Sequence, residues 1–143
     1  MSPEGNKVLV RRWYDTHCPE KIAEAEALVS DDFKAHMPGS PRPLDREAFK
    51  QMGAMFFSAF SGIEQTIEEQ VAEGDTVASR GTWHATHTGN FQGIPPTGKR
   101  VAMTWMGIDR IAGGKIAEHW AQLALLGLLQ QLGAIPAPGQ AAG

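Results

Sequence analysis

The chain has 143 residues, of which 42% are hydrophobic and 20% are charged, with a formal net charge of -3. A length of this order suits one domain whose core can fold without disulfides or metals. The 13 basic residues are scattered along the chain rather than clustered, which argues against a nucleic-acid partner.

The number of cysteines and the hydropathy of the chain indicate the cellular compartment in which the protein is expected. Cys18 is the only cysteine, so an intrachain disulfide and a multi-cysteine zinc site are excluded. It could be a nucleophile or a bystander thiol, and no local base favours the first. No apolar run approaches the roughly 20 residues of a membrane span, and the amino terminus lacks a signal-peptide pattern. We therefore expect a cytoplasmic protein without membrane contact.

The first part of the chain predicts two short amphipathic helices. Apolar residues at helical spacing, including Trp13, predict a helix over residues 6–16, and a second helix begins near Pro19. The following segment, 30–39, is predicted to become briefly extended. Its polar side chains, His36 among them, could point inward.

A third helix is predicted to begin near Asp45, which is a good N-cap residue. Aromatic and methionine side chains recur on one of its faces, including Phe56 and Phe60. Such a stripe usually packs in the core, although part of it can line a cavity.

Beyond this helix the sequence alternates with the period of strands. Strands are predicted over 63–73 and 76–87, joined by a turn at residues 74–75 that sets Glu69 opposite Arg80. Residues 88–100 are rich in glycine and proline and predict a constrained loop.

Two further strands, over 101–111 and 115–125, flank Gly113 and Gly114, a pair typical of a two-residue hairpin turn. Counting back from that turn predicts a register for the hairpin. The predicted pairs are Ala112 with Lys115, Asp109 with Glu118, Gly107 with Trp120, Trp105 with Gln122 and Met103 with Ala124.

The last four of these pairs would all lie on one face of the hairpin. That face would combine two indole rings with an amide and two carboxyl groups, as an organic-ligand pocket requires. The alternative is that the face is simply the core side of the sheet. The pattern alone leaves both interpretations open.

The order of the elements predicts an α+β architecture. Three amino-terminal helices would cover one face of a curved, mostly antiparallel sheet. Residues 1–133 are predicted to form a single domain, and residues 134–143 a flexible tail that lacks the means to form a core.

Several motifs together carry a resemblance to a known family. The run H-T-G-N-F-Q-G-I-P-P-T-G-K-R-V is followed at the matching distance by G-K-I-A-E-H-W and L-G-L-L-Q-Q-L-G, and is preceded by S-D-D-F-K-A-H-M-P-G. In these motifs the chain resembles the SnoaL-like polyketide cyclases, or ester cyclases, of the NTF2-like superfamily.

The resemblance implies a cone-shaped α+β barrel that encloses a hydrophobic cavity. It also implies a homodimer or homotetramer, a hydrophobic small-molecule substrate, no metal and no cofactor. The best-known members close a ring of an aromatic polyketide by an intramolecular aldol reaction that uses a side-chain acid and base.

In that family the catalytic acid is an aspartate at the position that Ala124 occupies here. Either the aldol chemistry has been lost or another residue supplies the proton. His36, His87 and Asp109 are the candidate catalytic residues, since a histidine titrates near neutral pH and two nearby carboxyl groups can share a proton. By the predicted register, His119 points away from the pocket.

The candidate substrate-binding residues share an apolar or amide character and lie on the predicted first helix, on the aromatic stripe of the third or on the hairpin. They are Trp13, Phe56, Phe60, Met103, Trp105, Trp120, Gln122 and Ala124. The first functional hypothesis is a cofactor-independent cyclase or isomerase acting on a hydrophobic carbonyl compound. The alternatives are a non-catalytic protein that binds a hydrophobic ligand, and a relative of the epoxide hydrolase or hydroxylase type.

Overall fold

The protein was analysed as a computed structural model, which describes residues 2–136. Four α-helices and one short 3-10 turn accompany five strands. The helices are α1 (Pro3–Asp15), α2 (Ile22–Ala27), α3 (Arg46–Ala59) and α4 (Leu125–Gln131), with the 3-10 turn at Pro19–Lys21. The strands are β1 (Val29–His36), β2 (Phe60–Glu73), β3 (Thr76–His87), β4 (Arg100–Ala112) and β5 (Lys115–Leu123).

Local sequence signals account for where the helices begin. The Ser2 side chain caps α1 by accepting a hydrogen bond from the backbone N–H of Gly5 at 3.0 Å. Asp45 caps α3 in the same way, at 2.8 Å from the N–H of Ala48, as its residue type predicted.

The five strands form one sheet in the order β1-β5-β4-β3-β2, with β1 parallel to β5 and every other pair antiparallel. Helices α1 and α3 pack on the sheet, and the sheet does not close into a complete barrel. The α+β architecture expected from the sequence is confirmed, with helices on a mostly antiparallel sheet and an apolar pocket. Glu69 does pair with Arg80.

The predicted register of the central hairpin is correct at its turn and wrong beyond it. Ala112 pairs with Lys115 and Ile111 with Ile116, but Arg110 then pairs with Glu118. Strand β5 therefore carries one extra residue, Ala117, in a β-bulge. A slip of one residue turns every following side chain to the other face of the sheet.

The bulge divides the predicted pocket face between the two sides of the sheet. The residues from β4, such as Trp105 and Asp109, point to the core and are buried. Their predicted partners on β5 point outward, and His119 takes the inward position opposite Asp109 instead. The other observed pairs are Ile108 with Trp120, Gly107 with Ala121, Met106 with Gln122 and Trp105 with Leu123.

Among residues 2–136, no helix combines the length and the apolar character needed to cross a bilayer. The predicted tail, 134–143, falls outside the described residues from position 137 onward.

Candidate active site

A cavity of about 180 Å³ lies between the helices and the inner face of the sheet. Its wall is largely aromatic because α1, α3 and the inward positions of β1, β3 and β4 all contribute rings. These are Trp13, Tyr14, Phe33, Phe49, Phe56, Phe57, Trp83 and Trp105. A wall of this kind suits a flat, apolar organic molecule.

The polar centre of the wall is a buried pair formed by His119 and Asp109. The imidazole Nδ1 lies 2.6 Å from Oδ1 of Asp109, and the two side chains are 3% and 0% exposed. No other hydrogen bond to the His119 ring is formed by the described residues, and the ring lies on the cavity wall. Its second nitrogen, Nε2, is therefore available to a bound molecule.

Tyr14 supports the other side of the carboxylate. Its hydroxyl donates a hydrogen bond to Oδ2 of Asp109 at 3.3 Å, and its ring stacks on Trp105 with centroids 4.4 Å apart. Burial, followed by the negative charge of Asp109, raises the pKa of Tyr14 well above its ordinary value. The hydroxyl thus remains a donor, and Asp109 accepts from both neighbours.

Local backbone features hold this arrangement in place. The bulge at Ala117 turns His119 inward, and the ring of Trp13 meets it edge-on at 4.9 Å. Gly107 supplies the remaining space. A Cβ atom there would lie 2.5 Å from the hydroxyl oxygen of Tyr14 and 3.3 Å from the carbonyl oxygen of Trp120. The glycine makes room for Tyr14, whereas the predicted register placed Trp120 opposite it.

Replacing Gly107 by alanine is expected to destabilise the protein by roughly 1 to 3 kcal/mol, because the added methyl group overpacks the space occupied by Tyr14. Urea unfolding followed by circular dichroism measures the change. Gly127→Ala is the matched control, since a Cβ at Gly127 meets nothing within 4 Å. Equal stability of the Gly107 variant and the wild type would show that the space is not tight.

Four of the predicted substrate-binding residues line the cavity: Trp13, Phe56, Met103 and Trp105. Phe60 does not. It is 1% exposed and packs beside the cavity, against the rings of Trp83 and Phe91.

His36 and Trp120 lie on the opposite, outer face of the sheet. Their rings stack with centroids 5.0 Å apart, and Nε2 of His36 is 2.7 Å from Oε2 of Glu118. The hydrogen bond from His36, assisted by Arg110, lowers the pKa of Glu118. The structure therefore separates His36 from the cavity and Asp109 from Glu118, the predicted carboxyl pair.

His87 is fully buried and anchors the loop that follows β3. Its Nδ1 accepts a hydrogen bond from the backbone N–H of Thr97 at 3.1 Å, and its own N–H and C=O bond to Lys99 and Gly98. His87 therefore pins this loop through its hydrogen bonds, and its side chain does not line the cavity.

The two remaining candidates are exposed. Gln122 points outward because of the bulge, opposite Met106. Ala124 ends the hairpin, where its N–H donates to the carbonyl oxygen of Thr104 at 2.9 Å and α4 begins. Neither side chain contributes to the cavity wall.

Sequence reasoning missed Tyr14, His17 and His119, which all line the cavity. The missed signal for His119 was the adjacent apolar pair Ile116 and Ala117, since two consecutive inward residues break the alternation of a regular strand. No sequence pattern indicated Tyr14, because its hydrogen-bond partner on β4 lies 95 positions away. None indicated His17, because the cavity wall around it is formed by several separate elements.

Comparison with known proteins gives a consistent set of relatives. The family model for SnoaL-like polyketide cyclases matches residues 7–132. Aklanonic acid methyl ester cyclase DauD of Streptomyces sp. strain C5 is 29% identical over 137 residues, spanning 93% of this chain and 83% of DauD.

Two solved structures extend the comparison. AclR of Streptomyces galilaeus, a proposed hydroxylase, is 26% identical with a TM-score of 0.88 over 97% of this chain and 87% of AclR. IdmH of Streptomyces antibioticus, a proposed polyketide cyclase, is 28% identical with a TM-score of 0.81 over 90% of this chain and 98% of IdmH.

Proposed function

Since this chain belongs to the SnoaL-like polyketide cyclase family, we propose that it catalyses a cofactor-independent, aldol-type ring closure of a hydrophobic carbonyl compound. His119 acts as the general base and then as the general acid. The observation on which this rests is the buried Asp109–His119 pair on the wall of an apolar cavity. The pair takes the role that the resemblance gives to an aspartate at the position of Ala124.

The hydrogen bond between His119 and Asp109 prepares the imidazole for proton transfer. The carboxylate accepts a hydrogen bond from Nδ1–H, which keeps that proton on Nδ1 and leaves the lone pair on Nε2 facing the ligand. It also stabilises the imidazolium that forms when Nε2 takes a proton. Tyr14 holds the carboxylate in position through its second oxygen.

The reaction needs two proton transfers at one site. Nε2 of His119 removes a proton from the carbon beside a carbonyl group, and the C–H electron pair moves into an enolate. The enolate carbon attacks a second carbonyl of the same molecule, and the proton on Nε2 passes to the new alkoxide oxygen. The product is an isomer of the substrate, and His119 returns to its starting state.

The aromatic wall favours a flat substrate, and the name of DauD indicates a first candidate. We therefore propose incubating the full chain with aklanonic acid methyl ester, without added metal or cofactor, and following the products by mass spectrometry. Ring closure gives a product of unchanged mass and altered retention. A second readout is deuterium exchange at the acidic carbon of ethyl benzoylacetate, which reports proton removal alone.

The same experiment separates the alternatives. A ligand that binds and is returned unchanged would favour a non-catalytic binding protein. A product heavier by one oxygen atom would favour a hydroxylase-type relative, the activity proposed for AclR. Either outcome, with no exchange on ethyl benzoylacetate, would contradict the cyclase proposal.

We also propose that a second copy of the chain covers the outer face of the sheet. A row of directly paired residues crosses all five strands there, in the order Val71, Ala78, Ile108, Trp120 and His36. Val71 is 58% exposed and Ile108 is 46% exposed. The dimensions of strands and their spacing give this face an area of roughly 700 Å², close to what one partner contributes to a stable interface.

Placing a charge in this row is expected to separate the copies. Ile108→Arg should shift the chain from dimer or tetramer to monomer in sedimentation velocity at micromolar concentration, because the interface would remove the new guanidinium from water. Val8→Arg is the control, since Val8 is 68% exposed on α1, away from the sheet face. A wild-type chain that is monomeric at every concentration would contradict the proposal.

A further inference from the structure

A second imidazole lies on the same wall as His119, and the mechanism above does not use it. His17 follows α1 and lines the cavity. Its ring centroid is 4.7 Å from Trp13, 5.3 Å from Tyr14 and 6.3 Å from Phe49. His119 packs against the same three rings, at 4.9, 6.2 and 5.8 Å. The two histidines therefore share one aromatic corner of the cavity.

The environment of His17 differs from that of His119. Nε2 of His17 is buried and has no hydrogen-bond partner among residues 2–136, whereas His119 is bonded to Asp109. Leaving a buried polar group unpaired costs roughly 1 to 3 kcal/mol. A turn holds the residue in place, since its N–H donates to the carbonyl oxygen of Tyr14 and the next N–H donates to that of Thr16.

The corner keeps His17 uncharged. Burial, followed by the positive charge that His119 can carry, lowers the pKa of His17 from 6.5 to about 3. A neutral imidazole presents one N–H donor and one lone pair. As a neutral donor it can stabilise charge on an oxygen atom without releasing its proton at neutral pH.

We propose that His17 is a second catalytic residue, whose neutral imidazole donates a hydrogen bond to the substrate oxygen that becomes the enolate oxygen. This inference rests on the proposed function and adds the group that stabilises the negative charge of its enolate intermediate. His119 receives the proton from carbon, the electron pair moves onto the carbonyl oxygen, and His17 stabilises the charge there. The ligand class is thus an apolar compound with a carbonyl group one bond from its acidic carbon.

A binding experiment tests this role without requiring turnover. The probe is 4-nitrophenol, whose ionised form carries a delocalised oxyanion and absorbs visible light, and nitrobenzene is the matched ligand without the hydroxyl group. His17→Phe keeps a flat ring but removes both nitrogens. We expect it to weaken binding of 4-nitrophenolate at least about tenfold and to change nitrobenzene binding less than about twofold. An equal loss for both ligands would indicate a packing role only.

The rate of deuterium exchange provides a second test of the role of His17. Removing one donor to a developing oxyanion typically lowers kcat by about 10² to 10³-fold, so His17→Phe should do so for deuterium exchange on ethyl benzoylacetate, with KM nearly unchanged. His84→Phe is the control because His84 lies on β3 outside the cavity.

The two arms distinguish the possible failures. A wild-type chain that binds 4-nitrophenolate through His17 but catalyses no exchange would overturn the proposed function alone. Wild-type exchange that His17→Phe leaves unaltered would overturn the role of His17 alone. Failure of the wild type to bind 4-nitrophenolate would also count against that role.

Discussion

Replacing His119 by glutamine is expected to lower turnover by roughly 10² to 10⁴-fold, the range that a positioned general acid and base contributes. Glutamine can still hydrogen-bond Asp109, but its amide does not take up a proton near neutral pH. The change therefore removes proton transfer while keeping a polar side chain of similar size in the buried position. Both ring closure and deuterium exchange should fall together.

The control for this variant is the same substitution at a histidine outside the cavity. His84→Gln removes an imidazole from the outer side of β3 and should leave the exchange rate within about twofold of the wild type. Near-ultraviolet circular dichroism and thermal unfolding establish that both variants are folded. If folded His119→Gln retained most of its activity, the proton would have to travel through another group, and the Asp109–His119 pair would be structural.

His36, which was predicted to face the cavity, lies outside it, and His119, which was predicted to point away, lines it. The error for His119 shows which part of the hairpin can be predicted from the sequence. The turn at Gly113 and Gly114 was predicted correctly, because it depends on local backbone preferences. The side to which each later residue points depends on the count of residues after the turn. A single bulge at Ala117 changed that count, so the histidine that was expected outside lies inside.

The fold was easier to predict than the site for the same reason. Helix α3 with its cap at Asp45 and the pairing of Glu69 with Arg80 follow from short-range patterns. The contact between Tyr14 and Asp109 joins residues 95 positions apart. Contacts of that range depend on how α1 crosses the sheet, which no local pattern specifies.

The apolar residues were the more predictable part of the site. Trp13, Phe56, Met103 and Trp105 line the cavity, and inward positions on helices and on β4 follow from hydrophobic spacing. The polar residues depend on exceptions to regular structure, such as the bulge before His119 and the turn that holds His17. These exceptions place polar groups on an otherwise apolar wall.

The burial of His17 has a second measurable consequence, which concerns stability rather than turnover. In the folded protein its pKa is about 3, compared with 6.5 for an ordinary histidine. Between these values the unfolded chain binds a proton that the folded chain does not. The contribution of His17 to stability is therefore present above pH 6.5 and is lost as the pH falls toward 3.

The size of this effect follows from the difference between the two pKa values. It corresponds to roughly 5 kcal/mol across the whole window, a large fraction of the stability of a domain of this size. His119 and Tyr14 face His17, and Asp109 lies behind them. These groups are present in both proteins when the wild type is compared with His17→Phe, so most of their own pH dependence cancels in the difference.

We therefore expect His17→Phe to resist acid better than the wild type. Urea unfolding at a series of pH values from 7 to 4 should show the variant gaining relative stability steadily as the pH falls below about 6.5. His84→Phe is the control, because it replaces a histidine that lines no cavity. A constant difference between His17→Phe and the wild type at every pH would mean that His17 accepts a proton as readily in the folded chain as in the unfolded one. The neutral imidazole required for oxyanion stabilisation would then be absent at mildly acidic pH, and the role inferred for His17 would lose its electrostatic basis.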